Sequence, residues 1–154
     1  MKKISFIQPD AAGWLQKFQF SIPIKVRYCE TDMLGHVNNV SYFMYFEQGR
    51  VDYFDHLGLT AALFGDRFVA VTADLECQYL EQVYLKDPLQ LYVRTARIGR
   101  SSVDIQYALV ANGRLKAAGR GALVLIDKES GKSAPLPDFA RETIRNYEGD
   151  RLEE

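Results

Sequence analysis

The chain has 154 residues, of which 47% are hydrophobic and 25% are charged, and its formal net charge at pH 7 is −1. This size and composition are typical of one ordinary folded domain with room for a core. The near-zero charge gives no general reason to bind nucleic acid or an anionic membrane, and no run approaches the roughly 20 apolar residues of a membrane-spanning helix.

The N-terminus begins like a signal peptide, but Gln8, Pro9 and Asp10 interrupt any apolar stretch. The two cysteines, Cys29 and Cys77, lie in strand-like segments without a paired metal-ligand spacing. We therefore expect reduced, structural thiols and a cytoplasmic location.

Apolar and polar residues alternate from residue 18 to residue 28, which predicts a β-strand. Pro23 interrupts the pattern. Because proline cannot donate a ladder hydrogen bond, it predicts an edge strand or a bulge. The apolar members of the strand are Phe18, Phe20, Ile22, Ile24, Val26 and Tyr28.

From Ser41 the period changes to three or four residues, which predicts a long helix. Asn38, Asn39 or Ser41 can cap its start, and Gly58 can end it. Glycine inside a helix costs about 0.5–1 kcal/mol relative to alanine, so Gly49 predicts close packing of the helix backbone against a sheet. The recurring positions are Tyr42, Phe46, Gly49, Tyr53 and Leu57.

Four further strands are expected, from residue 68 to 80, from 89 up to Gly99, from 103 up to Asn112-Gly113, and from 115 to 126. Asn112-Gly113 predicts a type I′ hairpin turn. A polar loop and a short terminal helix at about 139–147 complete the chain. With no repeat or linker, we expect a single domain over 1–154, its core at about 18–137, with an α+β layout in which the sheet wraps the helix.

The turn between the first strand and the long helix carries a carboxylate, an imidazole, a glycine and two asparagines. The N-terminus of a helix offers free N–H donors to a developing oxyanion, and a carboxylate beside it can attack a carbonyl or activate water. This combination suits hydrolysis of an activated acyl group. The residues are Asp32, Gly35, His36, Asn38 and Asn39.

A family resemblance rests on the pattern Tyr28-x-x-x-Asp32-x-x-Gly35-His36-Val37-Asn38-Asn39-x-x-Tyr42, followed by Tyr45-Phe46-Glu47 and Arg50. This pattern resembles the hotdog-fold acyl-CoA thioesterases, most closely the 4-hydroxybenzoyl-CoA thioesterase-like group. The similarity continues through Tyr79, Asp87-Pro88, residues 98–102 and the final hairpin, and covers about 18–137.

The resemblance implies a curved antiparallel sheet wrapped around one long central helix. It also implies an acyl-CoA substrate, no cofactor beyond the coenzyme A of that substrate, and a homodimer or homotetramer with active sites at the dimer interface. Two histidines in different segments do not supply a recognisable metal-ligand set, so no metal site is expected.

By resemblance, Asp32 stands in the place of the catalytic loop aspartate of that group, where it acts as a nucleophile that forms a mixed anhydride or as a base toward water. One placed carboxylate and an oxyanion hole can suffice, because a CoA thiolate departs readily. The alternative role for Asp32 is that of a turn or cap carboxylate.

Two neighbours complete the expected catalytic set. The loop also resembles plant acyl-carrier-protein thioesterases, in which an Asp, an Asn and a His stand at this kind of spacing, but Leu34 occupies the position of that Asn. We therefore expect His36 to position substrate or water rather than to act as an obligatory base. Asn39 occupies the position where the family offers a backbone N–H to the thioester carbonyl, and its side chain could serve only as a cap.

The aromatic residues Tyr42, Tyr45 and Phe46 are expected in the core or an interface, with the lining of an acyl pocket as the second reading. A second hotdog branch uses a helix glutamate, but its motif context is not matched here. Glu47 and Arg50 have the i,i+3 spacing of a helical ion pair, and we expect Glu47 to form this pair.

Between positions 86 and 120 the sequence has seven basic residues but only two acidic ones, Asp87 and Asp104. This local excess of positive charge could bind the CoA phosphates. The Arg100-Ser101-Ser102 turn is the most attractive contact. Solvated strand faces guarded by charge are an equal alternative. The basic residues are Lys86, Arg94, Arg97, Arg100, Arg114, Lys116 and Arg120.

Two other classes of function stay open. Hotdog proteins include hydratases and dehydratases of acyl thioesters, which use a paired His and acid that Asp32 and His36 could mimic, although Gly35 and Val37-Asn38-Asn39 fit the thioesterases better. The second class is a non-catalytic module that binds acyl-CoA. Release of free thiol separates both from a thioesterase.

Overall fold

A computed structural model describes residues 3–153, which form five strands, four α-helices and two 3-10 turns. The helices are α1 (Ala11–Leu15), α2 (Asn39–His56), α3 (Thr60–Leu63) and α4 (Asp138–Glu148). The strands are β1 (Phe20–Ile24), β2 (Phe68–Tyr79), β3 (Leu89–Ile98), β4 (Ser102–Ala111) and β5 (Arg114–Asp127). The 3-10 turns are Tyr28–Glu30 and Gly149–Arg151.

The strands form one curved sheet in the order β1-β3-β4-β5-β2, and every neighbouring pair is antiparallel. β1 and β2 are therefore the edges. Pro23 lies in β1 opposite Gln90 of β3, which confirms the prediction of an edge strand.

The first strand is shorter than predicted, because the chain turns away from the sheet before residue 28. The N–H of Arg27 donates to Oε2 of Glu30 at 2.9 Å, and the N–H of Glu30 donates to the carbonyl of Arg27 at 3.0 Å. These bonds close a 3-10 turn, so the prediction that Tyr28 and Cys29 lie in a strand was wrong. Cys29 is an exposed free thiol in this turn, whereas Cys77 is a free thiol within β2.

The central helix α2 begins and ends where local chemistry predicts. Oδ1 of Asn38 accepts a 2.9 Å hydrogen bond from the N–H of Ser41, which makes Asn38 the N-cap. Gly58 follows the helix with a φ of +71°, a conformation that glycine adopts without steric cost. A Cβ on Gly49 would lie 2.5 Å from Cδ2 of Leu91, so the predicted close approach of helix and sheet is confirmed.

The remaining connections also follow prediction. Asn112 and Gly113 have φ values of 52° and 71°, and a positive φ at both positions is the type I′ hairpin geometry. The terminal helix α4 is present over Asp138–Glu148. Within residues 3–153, no helix has both the length and the apolar character needed to span a membrane.

Both faces of the sheet are covered. α2 packs on the inner face, where Phe46 stacks on Tyr107 of β4 with ring centroids 4.5 Å apart. The outer face carries Trp14 of α1, whose ring packs edge-on against Phe18 and whose indole N–H donates to Oε1 of Gln106 at 2.7 Å. The sequence does not predict α1, because five residues are too few for a helical period.

Candidate active site

Asp32 lies at the start of a tight turn that is closed by its own backbone. The N–H of Asp32 donates to the carbonyl of His36 at 2.8 Å, and the N–H of Gly35 donates to the carbonyl of Asp32 at 3.1 Å. Gly35 has a φ of +78°, so the turn needs a residue that tolerates the left-handed region.

The two oxygens of the Asp32 carboxylate differ in their hydrogen bonding. Oδ1 accepts hydrogen bonds from the backbone N–H groups of Leu34 at 2.8 Å and His36 at 3.2 Å. Within residues 3–153, Oδ2 has no hydrogen-bond donor. The turn therefore fixes the direction of the carboxylate through one oxygen and leaves the other without a donor.

A cavity of about 400 Å³ lies between this turn, the start of α2 and the end of β2. The structure brings four of the predicted site residues to it, namely Asp32, His36, Asn39 and Tyr42. The complete lining is Asp32, Leu34, His36, Val37, Asn39, Tyr42, Tyr79, Leu80, Glu81 and Gln82.

The N-terminus of α2 supplies hydrogen-bond donors at the cavity. The first N–H groups of a helix have no partner inside the helix, and those of Asn39 and Val40 have no acceptor in the described part of the chain. The carbonyl of Asn39 accepts a 2.8 Å hydrogen bond from the hydroxyl of Tyr79. Asn39 is thus bound to β2 by this hydrogen bond, whereas Asn38 is the N-cap of α2.

His36 is attached to the site through its backbone. Its N–H donates to Asp32, and its ring packs edge-on against Tyr84, with ring centroids 5.0 Å apart. The half-buried imidazole lines the cavity beside the carboxylate.

Tyr42 lies on the first turns of α2 and is 3% exposed. Its ring packs edge-on against Tyr79, with centroids 4.9 Å apart. Burial, followed by the neighbouring Cys77, raises the pKa of Tyr42 to about 12. The phenol is therefore protonated at neutral pH and can donate a hydrogen bond into the cavity. Tyr45 and Phe46 are core residues and do not line the cavity.

The Arg100-Ser101-Ser102 turn lies at the opposite end of the sheet from Asp32. Ser102 is opposite Val124 of β5, and Val124 is opposite Val71 of β2. Tyr79 is eight residues beyond Val71 along β2, which is about 26 Å at about 3.3 Å per residue. A single chain therefore does not bring this turn to the cavity.

Most of the basic residues in the excess noted from the sequence form ion pairs with carboxylates of the same chain. Arg94 is fully buried and donates to Oε1 of Gln106 at 3.0 Å and to the carbonyl of Arg151 at 2.7 Å. It also contacts the carboxylate of Glu153. The prediction that Arg94 is available to phosphates was therefore wrong.

Glu81, which sequence reasoning missed, lines the cavity and binds two more of these cations. Its carboxylate accepts hydrogen bonds from Nε of Arg114 at 3.0 Å and from Nζ of Lys116 at 3.1 Å. These bonds lower the pKa of Glu81 to about 2. No motif marks Glu81, because the residues that surround it come from a strand more than 30 positions later.

Glu47 and Arg50 form the predicted helical ion pair, with Nη2 of Arg50 at 3.6 Å from Oε2 of Glu47. Arg50 also donates to Oγ1 of Thr72 at 3.2 Å, which links α2 to β2. Across residues 3–153, no cluster of three or more His, Cys, Asp or Glu side chains is arranged to hold a metal ion.

Comparison with known proteins assigns the chain to a family. A model of the thioesterase-like superfamily matches residues 26–144. An uncharacterised Bacillus subtilis protein, YsmA, is 36% identical over 146 residues, which are 94% of this chain and 97% of that protein.

Two solved structures share the architecture. A thioesterase from Thermus thermophilus, crystallised with coenzyme A and zinc, is 36% identical, with a TM-score of 0.76 over 87% of this chain and 98% of that one. A predicted thioesterase from Bacillus stearothermophilus is 29% identical, with a TM-score of 0.74 over 88% of this chain and 97% of that one. These similarities confirm the hotdog fold.

Proposed function

The chain belongs to the thioesterase-like superfamily and is a thioester hydrolase, and from this premise we propose that its substrate is an acyl-CoA and that Asp32 is the catalytic carboxylate. The proposal rests mainly on the different surroundings of the two oxygens of that carboxylate. Oδ1 accepts hydrogen bonds from two backbone N–H groups, whereas Oδ2 has no donor within residues 3–153. The carboxylate lies at a cavity that is also lined by the N-terminus of α2.

In the proposed reaction, the thioester carbonyl oxygen points at the N–H groups of Asn39 and Val40. These donors and the helix dipole stabilise the negative charge that develops on that oxygen. Oδ2 of Asp32 either attacks the carbonyl carbon or accepts a proton from an attacking water. The C–S bond then breaks, the CoA thiolate leaves, and water supplies the oxygen of the free acid, directly or by hydrolysis of a mixed anhydride.

His36 and Tyr42 have supporting roles in this proposal. The ring of His36 is restrained by Tyr84, so it can position the substrate or the attacking water. The protonated hydroxyl of Tyr42 provides a hydrogen-bond donor on the acyl side of the cavity.

Coenzyme A as the leaving group is supported by the Thermus thermophilus thioesterase, which was crystallised with that molecule. Its identity of 36% over 87% of this chain makes it a fair guide to the class of substrate. The basic residues Lys86, Arg97 and Arg100 form no ion pair within residues 3–153, and so can serve the nucleotide phosphates.

We also propose that the active unit is a homodimer. Within residues 3–153 the free edge of β2 carries a single isolated bridge, between Val69 and Phe64, and such an edge favours pairing with another chain. Beside it, α2 presents a stripe at i, i+4 and i+11 that consists of Val40, Met44 and Val51, which are 55%, 57% and 41% exposed. A second copy would cover this apolar surface and exclude water from Asp32.

The same arrangement gives the Arg100-Ser101-Ser102 turn its proposed role. In its own chain this turn lies at the far end of the sheet from Asp32, so we propose that it contacts CoA across an interface between two copies. Binding of the CoA phosphates by this turn is therefore coupled to dimerisation.

The test is thiol release from a panel of aryl-, short-, medium- and long-chain acyl-CoAs, with wild type, Asp32→Asn and the exposed control Asp66→Asn in parallel. We expect Asp32→Asn to lower turnover by at least about 100-fold, the scale of a positioned acid–base group, and Asp66→Asn to resemble wild type. Circular dichroism checks that each variant is folded.

The outcomes separate the competing functions. Turnover of Asp32→Asn within a few-fold of wild type would refute the role of Asp32. Acyl-CoA binding without thiol release by the wild type would point to a binding module, and loss or gain of water across a double bond without thiol release would point to a dehydratase or hydratase.

A further inference from the structure

We infer that two copies of α2 pack antiparallel in the proposed dimer, that the Glu47–Arg50 ion pair of each copy is enclosed at the centre of this seam, and that association requires the carboxylate of Glu47. This inference rests on the proposed homodimer. It adds to that proposal the direction of the two helices and the polar group on which their association depends.

The exposed stripe on α2 has the spacing of a seam between two helices. Its apolar members Val40, Met44 and Val51 are 55%, 57% and 41% exposed, and the side chain of Glu47, which lies between them in the sequence, is 71% exposed. Successive members of this set are four, three and four residues apart, which is the alternation that places side chains along one line between paired helices. Glu47 is therefore the single charged residue of an otherwise apolar seam.

The partner that fits this seam is a second copy of the chain. A spacing of four, three and four is the same in both directions, so two antiparallel copies place Val40 against Val51 and Met44 against Glu47. A two-fold axis normal to the sheet produces this arrangement, because it reverses the direction of every element that lies along the sheet. The same axis pairs the free edges of two β2 strands in antiparallel fashion.

Arg50 is the cation that accompanies Glu47 into this seam. The residue is 9% exposed, and its Nη2 lies 3.6 Å from Oε2 of Glu47 and donates to Oγ1 of Thr72. Its Nη1 is buried and has no hydrogen-bond partner within residues 3–153. Because a guanidinium stays charged, a single chain holds a buried cation whose carboxylate partner lies in solvent.

Dimerisation changes the value of this ion pair. An ion pair with an exposed carboxylate contributes little to the stability of a single chain. A second copy on the seam removes water from Glu47, and the carboxylate then depends on Arg50 for compensation of its charge. Loss of one member of an enclosed pair leaves the other charge uncompensated, which is strongly unfavourable. The Glu47 carboxylate therefore matters more to association than to folding.

Sedimentation equilibrium of Glu47→Ala measures this dependence. We expect the dimer dissociation constant to rise at least about 100-fold, while circular dichroism shows a folded chain. Glu129→Ala is the matched control, because Glu129 is 74% exposed and also lies 3.6 Å from an arginine, Arg67, and it should leave the constant unchanged. Thiol release by Glu47→Ala should recover at protein concentrations above its raised dissociation constant, which separates lost association from lost chemistry.

Cross-linking tests the direction of the helices. Val40→Cys and Val51→Cys are made in a Cys29→Ser chain, which lacks the exposed native thiol and serves as the blank, and are treated with a short bismaleimide. We expect covalent dimers from a mixture of the two variants and not from either alone. In the antiparallel seam, the two copies of residue 40 are about 17 Å apart along the helices, at about 1.5 Å per residue. Cross-linking of Val40→Cys with itself would overturn the antiparallel seam.

The outcomes distinguish this inference from the proposal on which it rests. A dimeric wild type in which Glu47→Ala and Glu129→Ala associate equally well would overturn the role of Glu47 alone. A monomeric wild type with full activity would overturn the proposed dimer as well. If Glu47→Ala does not fold, Glu47→Gln keeps the shape of the side chain without its charge and should raise the dissociation constant in the same direction.

Discussion

The hydroxyl of Tyr45 donates a 2.6 Å hydrogen bond to Oε2 of Glu30, which ties α2 to the segment that leads into Asp32. The same oxygen accepts the N–H of Arg27 at 2.9 Å, and the carbonyl of Glu30 accepts the N–H of Asn38 at 2.8 Å. Both ends of the Asp32 loop are thus attached to one residue. Burial, and then the hydrogen bond to Glu30, raises the pKa of Tyr45, so its phenol stays a donor.

Tyr45→Phe removes this bond without changing the shape of the ring. A hydrogen bond to a charged group contributes about 1.5–3 kcal/mol, and we expect a loss of free energy of unfolding in that range, together with lower turnover because the Asp32 loop is less restrained. Urea unfolding and thiol release measure the two effects. Glu30→Gln combined with Tyr45→Phe should lose less than the sum of the single changes.

The control for this prediction is Tyr92→Phe, because the hydroxyl of Tyr92 makes no hydrogen bond within residues 3–153. It should leave both quantities nearly unchanged. Full additivity of the two substitutions at Tyr45 and Glu30 would show that the bond does not couple them.

Gly49→Ala sets two effects against each other. Alanine has the better helix propensity by about 0.8–1 kcal/mol, but its Cβ would lie 2.5 Å from Cδ2 of Leu91, and overpacking a core costs about 1–3 kcal/mol. We expect net destabilisation in urea or thermal unfolding. Gln48→Ala, at the exposed neighbouring position, should change the free energy of unfolding little, and a stabilised Gly49→Ala would contradict the close contact.

Glu81 gives the protein an acid-sensitive part of its stability. Arg114 and Lys116 lower its pKa from 4.5 to about 2 in the folded chain. The unfolded chain therefore binds this proton more readily, so the contribution is present above about pH 4.5 and is lost as the pH falls toward 2. Glu81→Gln should be less stable than wild type at neutral pH, with a difference that shrinks over that window.

Urea unfolding of wild type and Glu81→Gln at several pH values checks this prediction. The difference should also shrink at high salt, since solvent-exposed ion pairs are screened. Glu142→Gln, an exposed carboxylate without an ion pair in residues 3–153, is the control. A pH-independent difference for Glu81→Gln would rule out the electrostatic explanation.

Met44→Lys tests the proposed dimer. Met44 is 57% exposed in the middle of the apolar stripe on α2, and an unpaired charge buried in an interface costs roughly 3–5 kcal/mol. We expect the dimer dissociation constant to rise more than about 100-fold, with thiol release lost in proportion to the dimer. Sedimentation equilibrium measures the association.

The matched control is Phe139→Lys, which places the same charge at a 56% exposed apolar residue of α4, away from the stripe. It should leave the association constant unchanged. A monomeric wild type with full activity, or a dimer indifferent to Met44→Lys, would exclude this interface.

Much of the site was accessible from the sequence because its parts are close together in the chain. Asp32, His36, Asn39 and Tyr42 lie within eleven positions on one turn and the first turns of one helix. A cap, a glycine and a helical period are read from near neighbours, so the pattern predicted both their conformation and their meeting at one cavity.

The sequence alone determined much of the local structure, including the helix end at Gly58 and the hairpin at Asn112-Gly113, and it narrowed the N-cap to three residues and Pro23 to an edge strand or a bulge. Each of these depends on what a single residue's backbone or side chain permits. The family pattern also carried the class of fold.

Only the tertiary structure decided which distant residues meet. Sheet order and register placed Glu81 at the cavity, buried Arg94 among Gln106, Arg151 and Glu153, and separated Arg100 from Asp32 by the length of the sheet. Charge and hydropathy patterns record whether a residue is polar but not which partner it finds across strands.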